Sequence, residues 1–113
     1  MKLSITKINK AQKELDDAFS TLIRASANWI CAVCGTSEYL HTHHIIPREN
    51  RPYRYSEDNG ICLCAKHHKF SRVISAHNNP LSFYIWLEKF KPNLYKIAVE
   101  RTKLLLKNDG IEL

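Results

Sequence analysis

The chain has 113 residues, 44% hydrophobic and 25% charged, with a formal net charge of +6. This is the composition of one soluble globular domain, and no apolar run approaches the roughly 20 residues of a membrane-spanning helix. The start, MKLSITKINKAQKEL, has no apolar signal core, so a cytoplasmic protein is expected.

In a reducing compartment the four cysteines, Cys31, Cys34, Cys62 and Cys64, are expected as thiols or metal ligands, not disulfides. The charge is unevenly spread. Residues 41–77 carry 6 basic and 3 acidic side chains, net +3, together with all six histidines. A bias of that kind suits a polyanion such as nucleic acid.

In chain order, residues 6–27 predict a helix. Ile8, Ala11, Leu15, Ala18, Phe19 and Leu22 recur at helical spacing and are expected to face the core. Residues 29–46, WICAVCGTSEYLHTHHII, change to short alternating segments, read as a metal-binding turn leading into a strand. PRENRPYRYSEDNG predicts an irregular surface loop, and ICLCAKHHKFSRV a short strand or turn entering a helix. Asn79-Pro80 is a helix start, and Pro80 to Phe90 is apolar nearly all round, so most of it is expected to be buried, with a dimer contact as the alternative. Pro92 ends that pattern, and a last helix is expected over about residues 93–107. There is no repeat or linker. A single domain over 1–113 is expected, with an N-terminal helix (1–28), a Cys/His-rich centre (29–77) and C-terminal helices (78–113).

Cys31-x2-Cys34 and Cys64-x2-His67 form two half-sites, a spacing that suits tetrahedral zinc in a Cys3His shell. Cys62 in place of His67 would have to chelate across a single residue, so Cys62 is read as a buried apolar side chain. Zinc here would act as a staple, because the loop-rich centre has little apolar surface to bury. Structural zinc contributes roughly 10–16 kcal/mol of apparent binding free energy that becomes folding free energy.

With those ligands assigned, His43, His44, Asn59 and His68 remain. The segments CAVCG, HHIIP, DNGICLC and CAKHH, spanning residues 31–68, resemble the HNH (ββα-metal) endonucleases in order and distance, and SAHNNPLSFYIWL is similar to small phage-type members. The resemblance implies an α+β fold with a zinc-stapled ββα-metal core, and a metal-dependent DNA endonuclease hydrolysing phosphodiester bonds. His44 is then the general base, His43 and His68 hold a divalent ion, and Asn59 holds the His44 strand across the loop. Adjacent residues on a strand point to opposite sides, so a twisted strand can offer one imidazole to metal and its neighbour to water.

Colicin-type members carry a further histidine four residues beyond the His68 position, where this chain has Arg72. Two protein ligands leave a site suited to Mg2+ or Mn2+, with Arg72 free to clamp phosphate. His41 and His77 are left to the surface or to support of their neighbours, His77 as a minor candidate for a further ligand. Arg48, Arg51, Arg54 and Arg72 are the expected phosphate contacts on double-stranded DNA, with Tyr53 and Tyr55 interleaved for base stacking. The alternatives are a non-catalytic zinc-stabilised nucleic-acid-binding module and an interaction protein of a phage or mobile element.

Overall fold

The computed structural model describes residues 4–113, so residues 1–3 of the expected domain lie outside the described part. Helix α1 (Ile5–Ser26) leads through the knuckle to strand β1 (Leu40–His44). A loop with two short 3-10 turns, Arg51–Tyr53 and Glu57–Asn59, returns the chain to strand β2 (Gly60–Cys64). One turn of π-helix (Lys66–Phe70) follows, and helices α2 (Pro80–Phe90) and α3 (Pro92–Asn108) complete an α+β fold. Among the described residues no helix is long and apolar enough to cross a membrane.

The strands pair antiparallel, with His41 opposite Leu63, Thr42 opposite Cys62, His43 opposite Ile61 and His44 opposite Gly60. Because cross-strand partners share a face, this register sorts the side chains into two layers. Thr42, His44, Gly60 and Cys62 face α1. The Thr42 hydroxyl donates to the Ser20 carbonyl at 2.8 Å, and the Phe19 ring lies 5.1 Å from the His44 ring. Ile61 and Leu63 face the main core with Ile45, Cys31, Phe83, Leu87 and Ala98. Cys62 is buried but lies on the α1 side of the sheet, away from the main core.

Local signals explain the helix ends. The Ser4 side chain accepts from the Lys7 amide, and the Asn79 side chain accepts from the Ser82 amide ahead of Pro80. Helix α1 closes through two consecutive left-handed residues, Asn28 (φ 55°) and Trp29 (φ 57°), with the Arg24 guanidinium 5.2 Å from the Trp29 ring centre. Such backbone is uncommon outside glycine.

Three expectations are corrected. Of the α1 stripe, only Phe19 is buried, and its buried companion is Ile23; Ile8, Leu15 and Leu22 are exposed, as are Ala11 and Ala18. A two-stranded sheet is too narrow to cover a 22-residue helix, so the core-facing side is the one with Asp16, Phe19, Ser20 and Ile23. Nor is most of helix α2 buried: Phe83 and Leu87 are fully buried, whereas Leu81, Ile85 and Phe90 are exposed. The loop between the strands, expected over 47–60 to be irregular, is hydrogen-bonded and pinned at two points. Arg54 pairs with Asp16 of α1 at 2.7 Å and Asp58 with Arg101 of α3 at 2.6 Å.

Gly60 is required by close approach. A Cβ there would lie 2.6 Å from Ile23 Cγ1 and 3.1 Å from Phe19 Cζ. Gly60→Ala must push α1 off the sheet, so urea unfolding should lose about 1–3 kcal/mol, the usual cost of overpacking, with an unchanged m-value. A loss under ~0.5 kcal/mol, the ordinary scatter for surface changes, would show that α1 is loosely seated.

Candidate active site

Strand β1 ends at His44, and a cleft of about 520 Å³ wraps around that end. His43 and His44 both line it although they leave the strand on opposite faces, and His68, Lys69, His77 and Arg48 complete much of its wall. Ligand nitrogens of His43, His68 and His77 lie within 4.8 Å of one another, with His68 Nε2 3.1 Å from His77 Nε2. In a shell with metal–nitrogen bonds of about 2.1 Å, neighbouring donors sit roughly 3.0–3.4 Å apart. The His68–His77 pair meets that spacing, and the three imidazoles together could hold one cation.

The electrostatics agree with that use. Burial, then the neighbouring imidazoles His68, His77 and His44, pushes His43 down to about 3. Burial, with His77, His41 and Lys69, pushes His68 down to about 4. Both rings are neutral at physiological pH and keep a lone pair for a ligand.

His77 reaches this cluster by a route that differs from expectation. The helix predicted after Lys66 is a single π-turn that ends at Phe70, and Ser71 is already extended (ψ 133°). Arg72 is thus not on a helix face above His68; it is exposed and absent from the cleft wall. The chain doubles back, and Ala76 and His77 run beside the π-turn, their amides donating to the His67 and His68 carbonyls at 3.0 and 2.9 Å. That doubling back carries His77 to the cluster. Its sequence signal was only that it is the last histidine of the basic segment.

His44 sits apart from the trio. Its Nε2 lies 2.9 Å from the Arg54 carbonyl. A carbonyl only accepts, so Nε2 carries the proton and Nδ1 the lone pair. Burial lowers the His44 pKa, against the pull of the Arg54 carbonyl. The ring is therefore a neutral base. Asn59, 1% exposed, holds the strand end: its Oδ1 accepts from the Ile46 amide at 2.8 Å, and its Nδ2 donates to the carbonyls of Ile46 and Tyr53 at 3.0 and 3.1 Å.

His41 also touches the cluster, its Nδ1 2.8 Å from His68 Nδ1. Of the expected phosphate contacts, Arg48 lines the cleft, Arg51 is exposed elsewhere on the loop, and Arg54 is committed to Asp16 with its side chain 12% exposed. The stacking expectation for the tyrosines is likewise displaced. Tyr53 lies under the Arg101 guanidinium at 4.9 Å, and the Tyr55 hydroxyl donates to Asp16 at 2.8 Å. Both hold the loop. Lys69, in the cleft wall, and Asp16 were not singled out from sequence; Asp16 acts on residues 38 and 39 positions away, a contact no local pattern signals.

A second cluster lies in the knuckle. The thiols of Cys31, Cys34 and Cys64 converge within 4.8 Å, with Cys34 Sγ 3.8 Å from Cys64 Sγ. All four cysteines are free. The edge of a tetrahedron with zinc–sulfur bonds of about 2.3 Å is roughly 3.8 Å, and a disulfide would need about 2.05 Å. Burial works to raise the Cys31 thiol, but hydrogen bonds led by the Cys34, Cys64 and Val33 backbone outweigh it, and its pKa is lowered. Burial raises the Cys64 thiol. His67 is not within the convergent sulfur set. Its Nδ1 donates to the Ile74 carbonyl at 2.8 Å, which leaves Nε2 with the lone pair, the tautomer a metal requires.

No curated protein and no solved structure matches the chain. The family model for HNH endonucleases matches residues 31–71, from the first knuckle cysteine to just past the π-turn, with α1, α2, α3 and His77 outside the span. Over that central segment the chain is similar to the HNH endonuclease family.

Proposed function

We propose that the chain is a metal-dependent DNA endonuclease that hydrolyses phosphodiester bonds, with a structural zinc in the knuckle. The observation that carries this reading is the pairing in one cleft of three convergent imidazoles, His43, His68 and His77, with a fourth, His44, that leaves β1 on the face opposite His43. When bound, a divalent cation would stabilise charge on the phosphate and on the leaving oxygen. His43, His68 and His77 would hold it. His44 Nδ1 accepts the proton of the attacking water, while Nε2–H stays on the Arg54 carbonyl and keeps the ring from turning. Asn59 keeps the strand end and the loop in register, and Arg48 and Lys69 draw the phosphate to the cleft.

The ligand count alters the choice of ion. An expectation of Mg2+ or Mn2+ rests on two protein ligands. Three imidazole nitrogens favour Mn2+ or a later transition ion over Mg2+, which prefers oxygen and retains its waters. The zinc reading is supported by the 3.8 Å sulfur separation, with His67 as the fourth ligand. The cleavage test is supercoiled plasmid with Mn2+, Mg2+ or EDTA. Conversion to nicked or linear form with Mn2+ exceeding that with Mg2+, and none in EDTA, supports the reading; no conversion with any ion contradicts it.

Three further outcomes follow from the assignment. Metal analysis should find about one zinc per chain; Cys31→Ser should lose it and unfold or aggregate, whereas Cys62→Ser should keep it at a packing cost of about 1–3 kcal/mol. Equal zinc loss in both would overturn the ligand set.

His44→Ala should fold and bind DNA yet cut about 10²–10⁴-fold slower at any metal concentration, the usual range for losing a general base. His68→Ala and His77→Ala should instead recover partly at high Mn2+. If His44→Ala cuts like the parent at saturating metal, His44 is not the base.

Affinity for a random duplex should fall steeply with salt. Neutralising Arg48, Arg51, Lys69 and Arg72 should flatten the slope by about one phosphate each. An unchanged slope would mean that these cations are solvated surface.

A further inference from the structure

Helix α1 lies outside the segment that matches the family, yet it reaches the back of β1 at the residue assigned as base. One carboxylate, Asp16, does most of this. Its Oδ1 accepts from Arg54 Nε at 2.9 Å and its Oδ2 from Arg54 Nη2 at 2.7 Å. The same Oδ1 accepts from the Tyr55 hydroxyl at 2.8 Å. Arg54 and Tyr55 are consecutive, so three hydrogen bonds to one carboxylate anchor the side chains at both ends of a single peptide unit. The carbonyl of that unit is the Arg54 oxygen, and it is the group that receives His44 Nε2 at 2.9 Å.

The anchor is itself fixed. Phe19, one helical turn on from Asp16, lies 5.1 Å from the His44 ring and 6.0 Å from the Tyr55 ring. Ser20 is bonded to Thr42 two residues before His44, and Ile23 is packed against Gly60 opposite it. The Asp16 and Arg54 side chains are 28% and 12% exposed. A bidentate guanidinium–carboxylate pair with that little solvent gives direction as well as attraction.

We infer that Asp16 is a positioning residue of the active site: through Arg54 and Tyr55 it aims the peptide carbonyl that fixes the tautomer and direction of His44. This rests on the reading of His44 as general base. A neutral imidazole carries one N–H, and the acceptor it meets decides which nitrogen keeps it. With the carbonyl held in place, Nε2 keeps the proton and Nδ1 offers its lone pair. With the peptide free to turn, both tautomers and more than one ring orientation are populated, and only a fraction of molecules presents the base correctly. A helix beyond the family core would then contribute to the chemistry without touching substrate.

The test is the tautomer itself, read by NMR on the full chain with 15N-labelled histidine, in the parent and in Asp16→Asn, which keeps the shape but cannot accept the guanidinium on both atoms. The parent should show His44 protonated at Nε2, and Asp16→Asn a mixture of Nε2–H and Nδ1–H. In single-turnover assays, Asp16→Asn should cleave bound DNA about 10- to 100-fold slower, as expected for a misplaced reacting group, with DNA affinity and zinc content unchanged. Tyr55→Phe removes one of the three bonds and leaves the ion pair. It should give a smaller tautomer change in the same direction, and it keeps the test open if Asp16→Asn fails to fold. A parent His44 not protonated at Nε2, or variants that lose thermal stability with no change in His44 tautomer, would overturn the inference. The NMR readout needs neither DNA nor a catalytic ion, so a parent that does not cut DNA would refute the nuclease reading while leaving the clamp to be decided by the tautomer.

Discussion

The arrangement depends on the side chain of Asn59, buried at the point where the 45–59 loop rejoins β2. Its amide is bonded to both backbone groups of Ile46 and to the carbonyl of Tyr53, and its own carbonyl accepts from the Ile45 amide. Backbone groups at a buried strand end need partners, and Asn59 supplies them, its side chain for Ile46 and its backbone carbonyl for the Ile45 amide. The loop closes there, and the register that sets His44 opposite Gly60 is fixed with it. A slip of one residue would exchange the faces of every side chain on β1, sending His43 towards α1 and His44 towards the imidazole cluster. Loss of Asn59 would therefore disturb both roles together.

From that register the two halves of the site are built independently. The face with Ile61 and Leu63 carries His43 to the π-turn, where His68 and the returning His77 meet it, and burial keeps the His43 and His68 rings neutral. The other face carries His44 to α1, where an aromatic ring and a backbone carbonyl hold it. The cleft joins the two only at the end of the strand. The knuckle thiols stand at the other end of the sheet, with Cys64 opposite Leu40. A metal there would tie the turn ahead of β1 to the end of β2.

Much of this was legible in the sequence where the signal is local. The C-x2-C spacing, the adjacent histidines and the Asn79-Pro80 start lie within a few residues of their effects, and helix α2 begins and ends where its apolar run does. The misreadings involve contacts distant in sequence. The α1 periodicity is real, but which side of a helix a narrow sheet covers is decided by Gly60 and Ile23, 37 residues apart. Arg54 reads as a phosphate ligand in a basic loop until Asp16 of α1 takes its Nε and Nη2. The helix expected to carry His68 and Arg72 shrinks to one π-turn because the Ser71–Ser75 segment folds back on its own hydrogen bonds. That same reversal supplies His77.

The central claim is that one strand end gives His43 to a cation and His44 to water. Anomalous diffraction from crystals soaked in Mn2+ tests it most directly. A single manganese peak at bonding distance, about 2.1–2.2 Å, from nitrogens of His43, His68 and His77, with His44 turned to the Arg54 carbonyl, is what the account predicts. Manganese bound to His44, or no peak among the three imidazoles at saturating ion, would contradict it.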